Sequence, residues 1–390
     1  MPIIESLLDT DYYKLTMTQA ILHQFPHCNT RYKFVCRNSG IVWPKGFIEK
    51  LADEIDHLCS LTFKEDELQY IATKPYFKPD FIEFLRMFKL NRKNISFGIK
   101  NEELFIETSG SFLQNTNFEI YILSIVNQLY FDMTNPNKEE LFKEGEKRLN
   151  EKFDFINAYC YNDFLISDFG TRRRFSKEWH KHVVESFIKN VPNNFCGTSN
   201  VLFAKELGVS PIGTMAHEVF LVSQQLTRVR DSQKYTLQKW ADEYRGNLGV
   251  ALTDTIGIDA FLRDFDLYFA KLFDGLRHDS GSPYEFADKV LKHYKDLKID
   301  PLTKSLTFSD SLTVKSAFDI YSRYRGIIKL YFGIGTSLSN DMGITPLNIV
   351  FKVVECNGQP VSKISDGKGK TMCEDEEYVN YIKKVFGVKK

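Results

Sequence analysis

Short apolar segments alternate with stretches that suit helices through the middle of this chain, and this alternation restricts the fold more than any other feature. A strand followed by a helix pairs in parallel with the next strand, because the helix returns the chain to the edge where the first strand began. We therefore predict a parallel α/β barrel. Its candidate strands are Leu165 to Asp168, Gly213 to Thr214 with the residues before them, Gly249 to Thr253, Gly275 to Arg277, Ser305 to Phe308 and Tyr331 to Gly335.

The first third of the chain has a different pattern, which predicts an α+β domain. Apolar residues follow helical spacing over Tyr12 to Phe25, and Thr30 to Cys36 alternates apolar and charged residues as a half-exposed strand does. A charged helical run, Lys138 to Lys152, follows. We expect two domains: an N-terminal α+β domain over residues 1–135, completed by a strand of the tail 346–390, and an irregular, TIM-like α/β-barrel domain over residues 136–345.

Composition excludes several kinds of partner. Basic and acidic residues number 51 each without long runs of like charge, so neither a nucleic-acid arm nor a membrane-surface patch is indicated. The seven cysteines form no C-x-x-C pair, which argues against a zinc site and a disulfide framework. The acidic N-terminus does not resemble a signal peptide, and the apolar window from Phe118 to Phe131 is too short to span a membrane. A cytoplasmic protein that binds small molecules is favoured.

Polar clusters lie at or just after the predicted strands, at the end of a barrel where active sites form. Glycines allow backbone N–H groups to converge on a phosphate, and Arg277 supplies a fixed cation. Asp279 and Asp310 can hold ribose hydroxyls or magnesium. The clusters are Gly197 to Asn200, Ser210 to Glu218, Gly275 to Gly281, Thr307 to Ser311 and Gly333 to Ser337.

His217 is the candidate nucleophile, because imidazole is neutral near pH 7 and its small neighbours leave room for a phosphoryl group. A lone histidine is more often structural, and Gly333 to Ser337 alone would suit a turn with a helix cap. Their occurrence together with the other clusters favours the functional interpretation. His180 and His182 have no such neighbours, and we predict both at the surface.

The ordered clusters resemble the nicotinate phosphoribosyltransferase family, whose members are type II phosphoribosyltransferases. The resemblance begins at Leu8-Asp9-Thr10-Asp11-Tyr12-Tyr13-Lys14-Leu15-Thr16-Met17, includes Ser167-Asp168-Phe169-Gly170-Thr171-Arg172-Arg173-Arg174 and runs nearly end to end. It implies an ATP-coupled ligase that makes nicotinate mononucleotide from nicotinate and 5-phosphoribosyl 1-pyrophosphate, with release of pyrophosphate, ADP and phosphate. Such an enzyme performs the first step of NAD salvage from nicotinate.

The resemblance also assigns roles to individual residues. It implies that ATP phosphorylates His217, that Arg277 and Asp279 complete the catalytic set, and that Mg²⁺ takes part. The residues that would bind the Mg²⁺ are not assigned by the resemblance. At least one arginine of Arg172 to Arg174 faces an anion, either pyrophosphate or the nicotinate carboxylate. In the family the tyrosine that matches Tyr13 stacks on the pyridine ring and comes from the neighbouring subunit, which implies a homodimer with shared active sites. The substrate-binding residues implied are Tyr13, Arg172, Thr198, Ser199, Thr214, Asp310, Gly333, Gly335 and Thr336, with the loop from Gly333 cradling the 5-phosphate.

Two alternatives stay open. A nicotinamide or quinolinate phosphoribosyltransferase would keep the phosphate and ribose residues but change the base pocket. A related nicotinamide-using enzyme carries an aspartate at the position aligned with Ser199, so the serine favours the acid over the amide. A non-catalytic barrel that binds phosphosugars could dispense with His217 and Asp279. Gly369-Lys370-Thr371 is not a P-loop, because the earlier glycine that the motif requires is Ile364.

Overall fold

Two sheets, one parallel and one antiparallel, organise the computed structural model, which describes residues 1–135, 137–159, 161–367 and 373–388. The rejected P-loop candidate at Gly369 to Thr371 lies outside the described residues. The strands are β1 Asn29–Cys36, β2 Ile95–Lys100, β3 Glu103–Ser111, β4 Leu165–Asp168, β5 Phe195–Thr198, β6 Val250–Leu252, β7 Gly275–His278, β8 Ser305–Phe308, β9 Lys329–Ile334, β10 Ile349–Cys356 and β11 Gln359–Pro360.

Helices surround both sheets. They are α1 Tyr12–Gln24, α2 Phe47–Leu58, α3 Glu65–Ala72, α4 Pro79–Met87, α5 Phe112–Asn115, α6 Phe118–Thr134, α7 Lys138–Tyr159, α8 Lys177–Asn190, α9 Val201–Leu207, α10 His217–Ser223, α11 Ser232–Tyr244, α12 Ile258–Asp264, α13 Leu267–Leu272, α14 Pro283–Asp296, α15 Val314–Tyr324, α16 Thr336–Ser339 and α17 Glu376–Phe386. Within the described ranges, none of these combines the length and the apolarity that a membrane span requires.

The parallel sheet has the strand order β5-β4-β9-β8-β7-β6, and every pairing in it is parallel. The predicted strands at 165–168, 249–253, 275–277, 305–308 and 331–335 all fall in this sheet within two residues at each end. The prediction at Gly213 to Thr214 is wrong, since that segment contributes only one bridge, from Pro211 to Thr198. Closure of the sheet into a barrel stays a prediction.

Strand β5 was missed because it is short and contains Gly197. That residue has φ +140°, and a Cβ there would lie 2.1 Å from the carbonyl oxygen of Ser210. The glycine therefore permits the chain around Ser210 to run directly beside the strand.

The antiparallel sheet has the order β11-β10-β1-β3-β2 and joins the tail to the N-terminal part. The predicted tail strand is confirmed as β10, which pairs with β1 through partners such as Phe34 and Phe351. Along β1, Thr30, Tyr32 and Phe34 are buried while their neighbours are partly exposed, as the alternating pattern predicts. The division into domains at residues 135 and 345 stays a prediction.

The opening helix is confirmed as α1 and ends one residue before the predicted end. Its first ten residues are all buried, including the cationic Lys14. Just before it, Asp9 forms a buried two-pronged ion pair with Arg174, with distances of 2.6 and 2.8 Å between oxygen and nitrogen atoms. Asn200 donates a further hydrogen bond to Asp9 at 2.8 Å. The N-terminal segment is thereby fixed to the residues that follow β4 and β5.

Replacing Asp9 with Asn should lower the free energy of unfolding by about 3–5 kcal/mol, because the buried Arg174 cation would lose its counter-charge. Burial raises the pKa of Asp9, but Arg174 outweighs it and holds this pKa below the usual 3.8. The ion pair therefore contributes its full stabilisation when the pH is above the usual pKa of an aspartate. This stabilisation is lost as the pH falls through the lower pKa of Asp9 in the folded state. Denaturant titrations of the native protein and Asp9→Asn at several pH values measure both effects.

A Glu5→Gln variant is the matched control, since Glu5 pairs with Lys177 at the surface and its loss should cost less than about 1 kcal/mol. Equal losses of unfolding free energy in the two variants would show that the buried ion pair contributes no more than the Glu5–Lys177 pair.

Candidate active site

A cavity of about 820 Å³ lies at the carboxyl edge of the parallel sheet. Its wall includes residues that directly follow strands, among them Phe169 after β4, Asp279 after β7, Ser309 after β8 and Gly335 after β9. The tail closes another side through β10. Of the residues predicted from the sequence, the wall contains Tyr13, Arg172, His217, Arg277, Asp279, Asp310, Gly335 and Thr336.

Four predicted residues lie behind this wall. Thr198 donates to Asp168 at 2.6 Å and Ser199 donates to Asp11 at 2.6 Å, and both are buried. An aspartate thus already lies beside Ser199, and the argument from this serine to the acidic substrate stays a prediction. The other two are Thr214, which supports Arg277, and Gly333, which packs beneath Phe169.

His217 begins α10 and turns its ring toward the end of β6. Its Nε2 lies 2.7 Å from Oδ1 of Asp254, which is buried. Burial, followed by Lys363, lowers the pKa of His217 below its usual value, so the imidazole is neutral near pH 7. Burial raises the pKa of Asp254, but Lys363 and then His217 hold it well below its usual range. Asp254 is therefore an ionised acceptor, and Nε2 of the histidine carries the proton.

The other oxygen of Asp254 is held equally firmly. Lys363 from the tail lies 2.7 Å from Oδ2, and the Ser280 hydroxyl donates to the same atom at 2.6 Å. Lys363 is buried, lies on the cavity wall and is also 3.9 Å from Asp279. These contacts fix the carboxylate and thereby the orientation of the His217 ring.

Arg277 is a fixed cation, as predicted. Its guanidinium donates to the hydroxyls of Thr214 and Ser309 at 2.6 and 2.9 Å and to Asp279 at 3.2 Å. Burial opposes ionisation of Asp279, but Arg277 and Lys363 outweigh it and hold the pKa of Asp279 well below its usual value. Asp279 also lies 3.8 Å from His217, so the catalytic residues predicted from the sequence are neighbours.

The wall beside β1 and β10 is rich in cations. Arg37, Arg173, Lys352 and Lys363 all line it. Burial, with Lys363 and Arg37 nearby, lowers the pKa of Lys352 to about 7. Burial and the neighbouring Arg172 lower the pKa of Arg173 to about 10. Because these cations repel one another, a bound polyanion would relieve the repulsion. The wall is therefore a strong site for a polyanion.

The three consecutive arginines have separate surroundings. Arg172 is two-fifths exposed to the cavity and lies 3.5 Å from Glu119, whereas Arg173 donates to the carbonyl of Ile349 at 3.0 Å. Arg174 is fully buried against Asp9 and cannot reach a ligand. The two arginines on the wall are thus the ones available to anions.

One expectation is wrong, and another stays open. His180 is fully buried rather than at the surface, because its ring Nε2 lies 2.7 Å from Asp168 beneath the sheet edge. Tyr13 lies on the cavity wall of its own chain and donates to Glu119 at 3.2 Å. The site shared between subunits and the homodimer stay predictions.

The sequence prediction did not include several residues of the site: Asp254, which lies behind the wall, and the wall residues Phe169, Lys352 and Lys363. Asp254 follows a predicted strand directly, so its position could have indicated it. Phe169 belongs to the segment Ser167 to Arg174, whose local pattern points to its arginines and not to this aromatic residue. Lys352 and Lys363 belong to the tail, and no local pattern relates them to His217.

Comparisons with known proteins agree with the resemblance seen in the sequence. One family model, the nicotinate phosphoribosyltransferase (NAPRTase) N-terminal domain, matches residues 8–127, and another, the nicotinate phosphoribosyltransferase (NAPRTase) family, matches residues 164–390. A nicotinate phosphoribosyltransferase of Acinetobacter baumannii is 53% identical over 99% of this chain and 98% of its own length. That of Chromobacterium violaceum is 49% identical over 99% of this chain and 98% of its own length.

Solved structures agree as well. The nicotinate phosphoribosyltransferase of Vibrio cholerae superposes with a TM-score of 0.95 at 36% identity, over 100% of this chain and 95% of that chain. The enzyme of Porphyromonas gingivalis gives a TM-score of 0.93 at 33% identity, over 99% of this chain and 100% of that chain. The chain therefore belongs to the nicotinate phosphoribosyltransferase family.

Proposed function

We propose that this enzyme makes nicotinate mononucleotide and pyrophosphate from nicotinate and 5-phosphoribosyl 1-pyrophosphate, and that ATP drives the reaction through a phosphohistidine on His217, with release of ADP and phosphate. The observation that carries the proposal is the hydrogen bond of 2.7 Å between His217 Nε2 and the ionised Asp254, at the wall of a cavity rich in cations. Because Nε2 donates its proton there, Nδ1 keeps the lone pair that can attack the γ-phosphorus of ATP.

One end of the cavity suits nicotinate. Tyr13 and Phe169 are aromatic residues of its wall, and a planar pyridine ring can pack against such side chains. Arg172, exposed to the cavity beside Tyr13, can pair with the carboxylate of nicotinate. The preference for the acid over the amide is thus argued from Arg172 rather than from Ser199.

The cationic wall suits pyrophosphate. Arg37, Arg173, Lys352 and Lys363 supply charge on that side, and a bound polyanion would raise the lowered pKa of Lys352 again. Gly335 and Thr336 follow β9 and can receive the 5-phosphate through backbone N–H groups and a hydroxyl. Helix α16 has only four residues, so its dipole adds little to that site.

We assign magnesium to the carboxylates that face the cavity. His217, Asp254 and Asp279 offer ligand atoms within 4.8 Å of one another, but Asp254 already holds His217 and Lys363. Mg²⁺ prefers oxygen ligands and keeps several waters, so Asp279 and Asp310 fit it better as a cation that arrives with the phosphates of a substrate. Bound there, Mg²⁺ supplies neutralising charge to the departing pyrophosphate.

In the transfer step, the ring nitrogen of nicotinate forms a bond to the anomeric carbon while the bond from that carbon to the pyrophosphate oxygen breaks. The sugar carries cationic character in between, and Asp279 and Asp310 can stabilise it and hold the ribose hydroxyls. Arg277 fixes Asp279 in place at 3.2 Å. The protein contributes mainly positioning and electrostatic stabilisation.

We also infer that the parallel sheet closes as an irregular barrel through residues 211–217. Pro211 bridges to Thr198 at one end of the sheet. Thr214 and His217 contact Arg277 of β7 and Asp254 after β6, near the other end. One short segment therefore touches both ends, which supports closure.

Purified protein should form mononucleotide from nicotinate, phosphoribosyl pyrophosphate and magnesium, and ATP should stimulate this only while His217 can be phosphorylated. The measurement is product formation with nicotinate or nicotinamide, each with and without ATP, by native protein and His217→Ala. His182→Ala, which changes an exposed histidine, should keep the stimulation. Preference for nicotinamide would favour the amide-using alternative, and no product from either base would favour a non-catalytic phosphosugar-binding protein.

An Asp254→Asn variant should lose ATP-dependent phosphorylation by roughly 10²–10⁴-fold, since an amide can donate to Nε2 and stabilise the tautomer whose Nδ1 has no lone pair. The rate of phosphoribosyl transfer measured without ATP should fall far less. Acid-labile phosphate on the protein and the rate of synthesis measure the two effects, with the exposed Asp259→Asn as control. Normal phosphoenzyme formation in Asp254→Asn would exclude this role.

A further inference from the structure

Beneath the nicotinate end of the cavity, a fully buried lysine lies between two glutamates. Lys14 of α1 has its Nζ 2.7 Å from Oε2 of Glu119 on α6 and 2.6 Å from Oε1 of Glu218 on α10. Lys14 is not part of the cavity wall, whereas both glutamates are. A buried ammonium of this kind requires compensation by a neighbouring carboxylate. Burial raises the pKa of Glu218. Burial also opposes ionisation of Glu119, but Lys14 and Arg172 outweigh it and hold the pKa of Glu119 below its usual value, so Glu119 is the main counter-charge of Lys14. The reaction described above uses none of the three groups.

Glu218 anchors this cluster. Its Oε2 accepts hydrogen bonds from the hydroxyls of Tyr32 and Thr116, the latter at 2.7 Å, while Oε1 holds Lys14. These three contacts fix Glu218, and Glu218 in turn holds the ammonium of Lys14 at a fixed point. Both glutamates line the cavity, and Glu119 is the one that lies beside Arg172.

Glu119 divides its two oxygens between the cluster and the cavity. Oε2 lies on Lys14 and accepts from the Tyr13 hydroxyl at 3.2 Å. Oε1 lies 3.5 Å from the guanidinium of Arg172, which is longer than a charge-assisted hydrogen bond. Arg172 is therefore near a carboxylate without being paired tightly to it.

The effect of Lys14 follows from charge. With the ammonium in place, the negative charge of Glu119 is compensated from below, and the potential of Arg172 is directed into the cavity. Without it, Glu119 would become the natural partner of Arg172 and would also repel the carboxylate of an incoming acid. An uncharged pyridine amide would be affected much less.

We propose that Lys14 is a specificity-determining residue: by compensating Glu119, it keeps Arg172 available to a pyridine carboxylate and so favours the acid over the amide. It acts as a positioning residue, because it does not touch the substrate. The inference rests on the proposed function, in which Arg172 receives the carboxylate of nicotinate.

The test compares native protein with Lys14→Met, Glu119→Gln and the double variant, by steady-state kinetics and by calorimetric titration with nicotinate. Lys14→Met should raise KM for nicotinate about tenfold or more, with KM for phosphoribosyl pyrophosphate changed less than about twofold. The ratio of kcat/KM for nicotinate to that for nicotinamide should fall by a similar factor. The double variant should recover most of the nicotinate affinity, since the competing carboxylate is then absent.

A merely structural lysine would affect both substrates equally, and Glu119→Gln would not rescue it; either result overturns the proposal. If Lys14→Met fails to fold, Glu119→Gln alone decides: KM for nicotinate should stay within about twofold of the native value or fall, because Lys14 already compensates this glutamate, and a rise of more than about twofold overturns the proposal. Lys304→Met is the matched control, because Lys304 is also buried but donates to the backbone carbonyls of Lys271 and Phe273. A native protein that makes no mononucleotide from nicotinate would instead overturn the proposed function.

Discussion

The parallel orientation of six strands is the constraint on which the site depends. Because the carboxyl ends of all strands in this sheet lie at the same edge, residues far apart in sequence are brought together there. His217 and Asp254 are separated by 37 positions and lie 2.7 Å apart. The antiparallel sheet then brings Lys363 of the tail to the same carboxylate. Under the proposed function, the chemistry is thus divided between the two sheets: residues after the parallel strands present the reactive side chains, and the antiparallel sheet with the tail supplies cations on the facing wall.

Buried ion pairs at this edge have a common design. Each places one charge near the cavity and its counter-charge behind it, as in Asp254 with Lys363 and in Glu119 with Lys14. A buried pair contributes little net stability compared with an apolar replacement, whereas loss of one member is costly. Such pairs are therefore better explained by what they do to the ligand-facing member: they fix its position, its ionisation and the potential it presents.

The sequence allowed prediction of the elements whose signals are local. Strand and helix periodicity identified most of the parallel sheet and the tail strand, and the small, polar residues after the strands predicted that His217, Arg277 and Asp279 lie together, which the structure shows. The side-chain surroundings that could not be predicted are those that depend on tertiary contacts. Whether Ser199 faces the cavity, or whether His180 is buried against Asp168, is decided by how a loop turns after its strand. The partners of buried charges also cannot be read locally, because Coulomb attraction selects them in space rather than along the chain.

Coupling of ATP hydrolysis to synthesis requires that substrates interact differently with the two states of His217, since a phosphoryl group with no differential contact could shift nothing. The contacts of Asp254 provide a physical route for such a difference. A phosphoryl group on the imidazole would add negative charge beside Asp279 and within reach of Lys363, which also lines the cationic wall of the cavity. The same tail segment is fixed to the end of β6 by the hydrogen bond from Ile364 to the Thr255 carbonyl. Under the proposed function, Lys363 therefore links the phosphorylation state of His217 to the affinity of the cationic wall for pyrophosphate. This link requires no large movement of the fold.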